Sequence, residues 1–284
     1  PFFFFCSLGE SGEIVETARA SLWPIGPRPE RAASAMVRLR MLETKMSERK
    51  PRKRTLSRLV LLALLAGTIF ASFRFGLIPQ SLNPLPQISL GERPVWFVDS
   101  RLAAMKRNRE LCQSVLKAPH IDATAIADSP YKNGCGWLNA VKFQKSGGAR
   151  LGAERMTCDM AAALTLWITH EVQPLAQSLL GNSVVTVGDM GTYDCRNIIG
   201  STLLKNVRSQ HATANAIDIS GFTLANGKQI SVLRDWNSTG PEGQFLREAH
   251  ARSCRYFRVA LGPEFNAAHK NHFHFDRGAF SRCK

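Results

Sequence analysis

An uncharged apolar segment, Leu59–Phe73, is the feature that most constrains what this 284-residue chain can fold into. Six basic residues and one acidic residue, Glu48, lie between Met46 and Arg58, directly before it. A basic stretch followed by an apolar one is typical of an export signal. A buried core helix would leave the basic flank unexplained. We therefore predict that residues 46–78 form an uncleaved signal anchor that crosses the inner membrane once, with its basic side in the cytoplasm. Cleavage, which would release the protein into the periplasm, is the alternative.

The segments on either side of this anchor are predicted to lie outside the folded domain. Residues 1–45 begin with proline and a phenylalanine run and show neither helical nor strand periodicity, so we interpret them as upstream translation or a poorly ordered extension. Residues 79–94 contain four prolines and few charges, which predicts a semi-extended linker. The folded domain is then expected to cover residues 95–284.

The cysteines support export. Six of the seven follow the apolar segment: Cys112, Cys135, Cys158, Cys195, Cys254 and Cys283. An even set confined to the exported part fits three disulfides formed in an oxidising compartment, with 15 connectivities to choose from. Free or metal-binding thiols are the alternative, but no two cysteines have the C-x-x-C spacing of a thiolate zinc site.

Hydrophobic periodicity in the exported part predicts an α+β fold, with a small antiparallel sheet packed with helices and preceded by one membrane helix. Helices are expected over 99–117, over 158–173 with Thr157 as the cap and Pro174 ending or kinking the helix, and over 241–254. Strands are expected over 184–188, 216–220, 229–233 and 271–276. The tryptophans of the domain, Trp96, Trp137, Trp167 and Trp236, are interpreted as core or rim aromatics.

Two short motifs carry the chemistry. His211 and Asp218 lie seven residues apart, just before and inside a predicted strand, and His272 and His274 share one face of another. Imidazole nitrogens and a carboxylate suit zinc, and a catalytic zinc has three protein ligands and an open fourth position. We predict that His211, Asp218 and His274 bind Zn²⁺ on this sheet, with His272 or His269 as general base or oxyanion donor.

The same motifs resemble those of zinc peptidases that include D-alanyl-D-alanine carboxypeptidases, penicillin-insensitive murein endopeptidases and lysostaphin-type enzymes. More specifically, residues 95–283 resemble the bacterial extensin-like C-terminal domain family. The segments that carry this second resemblance are CGW at 135–137, TC…AAAL…W at 157–167, GTYDCRN at 191–197, SQHATANAIDISGF at 209–222, FLREAH at 245–250 and LGP…HKNHFHFD at 261–276.

The peptidase resemblance implies roles for individual residues. His211, Asp218 and His274 match the zinc ligands, and His272 matches a catalytic or oxyanion-stabilising histidine. Two further residues, Arg196 and Ser209, match positions near the substrate cleft. Two departures are relevant: Ala214 replaces the motif glycine, and Asn271 stands where the carboxypeptidase type has a glutamate base. A left-handed backbone at Ala214 would be strained.

Two functions from different classes follow. The first is a membrane-anchored periplasmic zinc hydrolase that acts on peptidoglycan peptides. The second is a non-catalytic envelope domain that binds peptidoglycan around a structural or vestigial metal site. Residues 81–284 hold 24 Lys and Arg against 16 Asp and Glu, a net +8 without clusters, which suits anionic wall polymers. Nucleic acid is not expected as a partner beyond a membrane.

Overall fold

The computed structural model describes residues 52–75, 77, 87–117 and 119–284. The chain divides into two compact units, Pro1–Val60 and Leu61–Lys284. The extension predicted over residues 1–45 and the first half of the predicted linker, residues 79–86, lie outside the described residues. Helix α1 spans Arg52–Arg74. Its segment Leu56–Arg74 is long and apolar enough to cross a membrane, and signal sequences have the same length and composition.

The apolar side chains of α1 are exposed, whereas the end of the predicted linker is not. Leu61 and Leu62 are more than half exposed. Ile88 and Leu90, by contrast, are buried in the core of the second unit. The core of the second unit therefore includes two residues of the segment that was predicted as a linker.

The strands of the described residues form one large sheet and one small one. They are β1 (Ile121–Ala125), β2 (Ser129–Lys132), β3 (Cys135–Trp137), β4 (Ala140–Ser146), β5 (Ala149–Thr157), β6 (Val184–Gly191), β7 (Ala216–Leu224), β8 (Gln229–Ser231), β9 (Val259–Leu261), β10 (Phe273–Asp276) and β11 (Arg282–Cys283). The nine-stranded sheet has the order β1-β4-β5-β6-β7-β10-β9-β11, with β8 beside β7, and β2 pairs with β3. The pairs β5–β6 and β9–β11 are parallel and the other pairs are antiparallel.

The α+β class is confirmed, but the prediction of a small antiparallel sheet is wrong: the sheet is large and mixed. The strands that sequence reasoning missed include β4 and β5. In β5 the inward positions are filled mainly by small side chains, with Ala149 and Ala153 flanking Leu151, and the alternating burial is clear only in three dimensions. Because alanine and glycine are depleted in strands, this alternation gives little β signal in the sequence.

The helices after α1 are α2 (Val98–Met105), α3 (Arg109–Val115), α4 (Cys158–Trp167), α5 (Gln173–Leu180), α6 (Val232–Asp235) and α7 (Pro241–Ser253). The helix predicted over 99–117 is thus two helices. Pro174 does not end the second of these predicted helices, because a π-helical turn at Ile168–Val172 precedes it and the chain continues as α5. Such a turn accommodates the missing N–H of proline at a helix position.

Trp167 ties α4 to the strands that carry the candidate site. Its fully buried ring packs against Phe222 of β7 and Phe275 of β10, with centroid distances of 6.1 and 5.2 Å. Its indole N–H donates to the carbonyl oxygen of Ala249 in α7 at 2.9 Å. Trp167 and Trp236 are core aromatics as predicted, but Trp96 is exposed.

The described residues contain three disulfides, as the even cysteine set predicts. They join Cys112 to Cys158, Cys135 to Cys195 and Cys254 to Cys283, with Cα–Cα distances of 5.9, 5.6 and 5.8 Å. The first fixes α3 to the start of α4, and the third fixes the end of α7 to β11. The spacing of the cysteines in the sequence did not distinguish this connectivity from the other possible ones.

Candidate metal centre

Two of the three predicted ligands face each other across neighbouring strands. In the antiparallel pair of β7 and β10, Asp218 lies directly opposite His274. Side chains directly opposite in such a pair lie on the same face and within contact distance. The register of the sheet therefore brings together residues that are 56 positions apart in the chain.

The third predicted ligand, His211, lies on a 3-10 turn, Gln210–Thr213, that leads into β7. The hydroxyl of Ser209 caps this turn by accepting from the backbone N–H of His211 at 3.3 Å. The turn ends at Ala214, whose φ of 52° lies in the left-handed region. The motif glycine is thus replaced at a position where glycine is favoured, and the chain holds alanine there at a cost of about 1–2 kcal/mol.

The donor atoms of the three residues form a compact triangle. His211 Nε2 is 3.2 Å from His274 Nδ1 and 3.2 Å from Asp218 Oδ1, and His274 Nδ1 is 2.9 Å from Asp218 Oδ1. Tetrahedral ligands at about 2.0–2.1 Å from zinc are separated by about 3.3–3.4 Å. The observed edges are slightly shorter than these separations, so the two nitrogens and one oxygen could hold a zinc ion if the triangle widened slightly.

A second carboxylate fixes the orientation of the His274 ring. His274 Nε2 lies 3.2 Å from Asp276 Oδ2, and Asp276 Oδ1 accepts from the backbone N–H of Gly278 at 2.8 Å. A carboxylate on the far ring nitrogen of a histidine holds the N–H there and leaves the near nitrogen free to bind a metal. Sequence reasoning missed Asp276, although the period-2 spacing from His274 placed it on the same face.

Charge at the site favours an ionised Asp218. Burial raises the pKa of this carboxyl, but hydrogen bonds from His211 and His274 lower it well below its usual range. Burial lowers the pKa of His274, whereas its hydrogen bonds to Asp218 and Asp276 raise it to about 9. Asp218 is therefore an anion at neutral pH, as a metal-binding carboxylate must be.

The two other predicted site histidines lie beside the triangle. His272 Nε2 is 3.6 Å from Asp218 Oδ1, and the His269 ring centroid is 5.2 Å from that of His272 and 5.9 Å from that of His274. Among the described residues, the donor atoms of His211, Asp218 and His274 all lie within 4.8 Å of one another, and His272 is outside this group. This leaves His272 adjacent to the triangle and outside its donor set.

Asparagine side chains orient both of these histidines. His269 Nδ1 lies 2.7 Å from Asn266 Oδ1, and His272 Nδ1 lies 2.8 Å from Asn271 Oδ1. Burial, with positive charge on neighbouring histidines, lowers the pKa of His269 to about 4. Burial also lowers the pKa of His272, although Asp218 opposes this. Both rings are neutral at neutral pH, with Nδ1 donating to an amide oxygen and Nε2 able to accept a proton.

Arg196 and Ser209 are joined through the backbone, because the N–H of Ser209 donates to the carbonyl oxygen of Arg196 at 3.1 Å. The Arg196 side chain pairs with Asp194 at 2.8 Å, and its charge contributes to the lowered pKa of His269 and of His272. Arg196 therefore lies at the histidine side of the site. Ser209 is buried and its hydroxyl caps the turn, so its predicted substrate contact stays a prediction.

A buried network of polar side chains stabilises the turn that carries His211. The fully buried Asn215 accepts from the Thr157 hydroxyl at 2.9 Å and donates to the Gln210 side chain at 2.8 Å. The disulfide Cys135–Cys195 holds the neighbouring segment, one residue from Arg196. Nothing in the sequence distinguished Asn215 from a surface asparagine.

Comparison with known proteins gives one match. The family model described as extensin-like protein C-terminus matches residues 110–284, well over half of the chain. No curated protein matches, and no solved structure matches. The resemblance expected from the CGW, GTYDCRN and HxH segments is confirmed at the level of the family. The chain belongs to the extensin-like protein C-terminus family.

Proposed function

We propose that this protein is a membrane-anchored, periplasmic zinc hydrolase that cleaves peptide bonds in peptidoglycan. The observation that carries the proposal is the triangle of His211 Nε2, Asp218 Oδ1 and His274 Nδ1, with edges of 2.9–3.2 Å. Three donors of this kind beside two neutral histidines match the arrangement of a catalytic zinc site, which keeps one position for water or substrate.

The donor set favours zinc over a hard cation. Two imidazole nitrogens and one carboxylate suit zinc or a related transition metal, whereas magnesium and calcium take mainly oxygen ligands. His211, Asp218 and His274 would hold the ion, and Asp276 would keep the His274 ring in the binding orientation. Bound zinc would lower the pKa of a water molecule towards neutrality and polarise the scissile carbonyl.

The remaining residues of the site supply proton transfer and substrate binding in this proposal. His272, whose Nε2 faces Asp218, would accept a proton from the attacking water and then pass it to the leaving amine, and the neighbouring His269 would be the alternative proton acceptor. The guanidinium of Arg196 would pair with a carboxylate of a peptide stem through its planar fork. Peptidoglycan stems offer such carboxylates, and the similarity of the SxHxxxxAxD and HxH segments to wall-cutting zinc peptidases supports this substrate class.

A non-catalytic wall-binding domain is the second candidate, and one observation favours it. Asn271 stands where the carboxypeptidase type has its glutamate base, and its amide oxygen is engaged by His272 Nδ1 at 2.8 Å. An amide cannot take up the proton that a carboxylate would. Catalysis in this chain therefore depends on His272 or His269.

Digestion of purified peptidoglycan by the zinc-loaded full-length protein tests the proposal. We expect released muropeptides that differ from the undigested sample by one cleaved peptide bond, with His272→Gln strongly impaired and His211→Ala inactive. His120→Gln, an exposed histidine outside the site, is the matched control and should retain wild-type activity. Stoichiometric zinc without any released product would exclude the hydrolase and leave the wall-binding candidate.

The anchor is tested separately. We expect the full-length protein to stay in the membrane fraction after alkaline extraction, with an N-terminus upstream of the apolar segment. A soluble periplasmic form whose N-terminus lies after residue 74 would show a cleaved signal instead.

A further inference from the structure

Three consecutive apolar residues, Val95, Trp96 and Phe97, lie exposed at the start of the folded domain, and we call them the aromatic patch. They are 66, 74 and 64% exposed, whereas the next residue, Val98, is 7% exposed and belongs to the core. Isolated exposed apolar residues are ordinary, but a contiguous aromatic patch marks an interaction surface. The function proposed above makes no use of it.

The backbone of the patch is held in a defined conformation. Phe97 is the N-cap of α2, with φ 51° and ψ 36°, a left-handed conformation that is rare for a bulky residue. The exposed Arg255 donates to the carbonyl oxygens of Pro94 and Val95, the latter at 3.3 Å. The patch is thus held against a basic side chain and followed directly by a buried helix.

The position of the patch relative to α1 indicates its partner. Arg74, the last residue of α1, forms an ion pair with Asp99, and its carbonyl oxygen accepts from Arg258. The Arg258 guanidinium also lies 5.6 Å from the ring centroid of Phe75 and 2.8 Å from Asp99. Asp99, which contacts the end of α1, follows Trp96 by three residues. Three residues of extended chain span at most about 11 Å, so Trp96 lies within that distance of Asp99.

We propose that the aromatic patch inserts into the interfacial region of the membrane that α1 crosses, as a second contact between the domain and the bilayer. The proposal rests on the membrane anchoring proposed above. Tryptophan is enriched where membrane meets water, because its ring is apolar and its N–H is polar. An arginine beside it matches anionic lipid headgroups. With both α1 and the patch in contact, the domain has a restricted orientation on the membrane surface.

Quenching of tryptophan fluorescence by brominated lipid tests the contact. The full-length protein is reconstituted into vesicles of phosphatidylethanolamine and phosphatidylglycerol, with and without dibrominated phosphatidylcholine. We expect bromine-dependent quenching in the wild type and its loss in Trp96→Phe. Trp137→Phe, which removes a half-buried ring packed on Tyr193 at 5.0 Å, is the matched control and should keep the wild-type quenching.

Each outcome separates this inference from the anchor on which it rests. Protein that resists alkaline extraction, with equal quenching in wild type and Trp96→Phe, would overturn the inference and leave the anchor intact. Protein that is extracted, with no quenching in any variant, would overturn both. Trp96 fluorescence shielded from brominated lipid and from aqueous iodide alike would indicate burial against a second copy and would also overturn the inference.

Discussion

His250 is a buried histidine whose protonation should destabilise the domain in acid. Its ring packs between Trp236 and Phe273, with centroid distances of 5.8 and 5.1 Å, and its Nε2 has no hydrogen-bond partner among the described residues. Burial lowers the pKa of His250 to about 4, although its hydrogen bond to the backbone of Leu261 opposes this. The ring is therefore held neutral in the folded protein.

The size of the effect follows from the difference between the folded and unfolded pKa. The unfolded His250 has a pKa near 6.5 and the folded one a pKa of about 4. The unfolded chain binds more protons between these values, so stability is fully present above pH 6.5 and falls as the pH drops towards 4. The loss is about 2.6 kcal/mol at pH 4.5 and approaches about 3.4 kcal/mol below pH 4.

The test compares His250→Leu with the wild type, because leucine is apolar, does not titrate and removes the unpartnered nitrogen. Urea unfolding of the full-length protein in detergent and chelator, followed by near-ultraviolet circular dichroism, gives the free energy of unfolding at pH 8 and pH 4.5. We expect the wild type to lose about 2.6 kcal/mol more than His250→Leu between these pH values. His120→Leu, at an exposed site, should keep the wild-type loss. Equal losses in the wild type and His250→Leu would refute the reasoning.

Three further predictions follow from the site and its supports. Asp276→Asn, which weakens the orientation of His274, should lower zinc affinity about 10–100-fold by calorimetry or chelator competition; unchanged affinity would contradict the orienting role. Ala214→Gly should change the free energy of unfolding by less than about 1 kcal/mol, because relief of the left-handed backbone offsets the lost methyl group and the added chain entropy. Ala214→Val should lower the free energy of unfolding by about 2 kcal/mol or more, because a β-branched side chain is strained at a positive φ. Equal stability of Ala214→Gly and Ala214→Val would contradict the left-handed backbone at residue 214. Replacing Cys112 and Cys158 together by alanine removes a disulfide between residues 46 apart in sequence. The free energy of unfolding, measured by thermal unfolding, should fall by about 4 kcal/mol. An unchanged midpoint temperature would argue against that disulfide.

The sequence grouped residues that the structure also brings together, but it underestimated the sheet. His211, Asp218 and His274 were grouped from their spacing, their residue types and the peptidase resemblance, and their donor atoms lie within 4.8 Å of one another; zinc binding by them stays a prediction. The register that places Asp218 opposite His274 is a long-range pairing, which local periodicity cannot supply. Strand β5 was missed because the alternation that defines it is carried by Ala149, Leu151 and Ala153, which give little β signal.

The supporting residues were harder to foresee than the ligands. Asp276 could have been found, because strand periodicity puts it on the face of His274. Asn215 could not, since its role depends on Thr157 and Gln210 meeting it in the fold. The left-handed backbone at Ala214 was suggested only by the glycine that the peptidase motif has at this position, because alanine itself gives no sign of a positive φ.

The metal content of the purified full-length protein tests the central claim most directly. Elemental analysis should find one zinc ion per chain in the wild type and in His120→Ala, and loss of zinc in His211→Ala and in His274→Ala. Wild-type protein that takes up no zinc after dialysis against it, or a double variant of His211 and His274 that retains it fully, would contradict the assignment of this triangle as a zinc site.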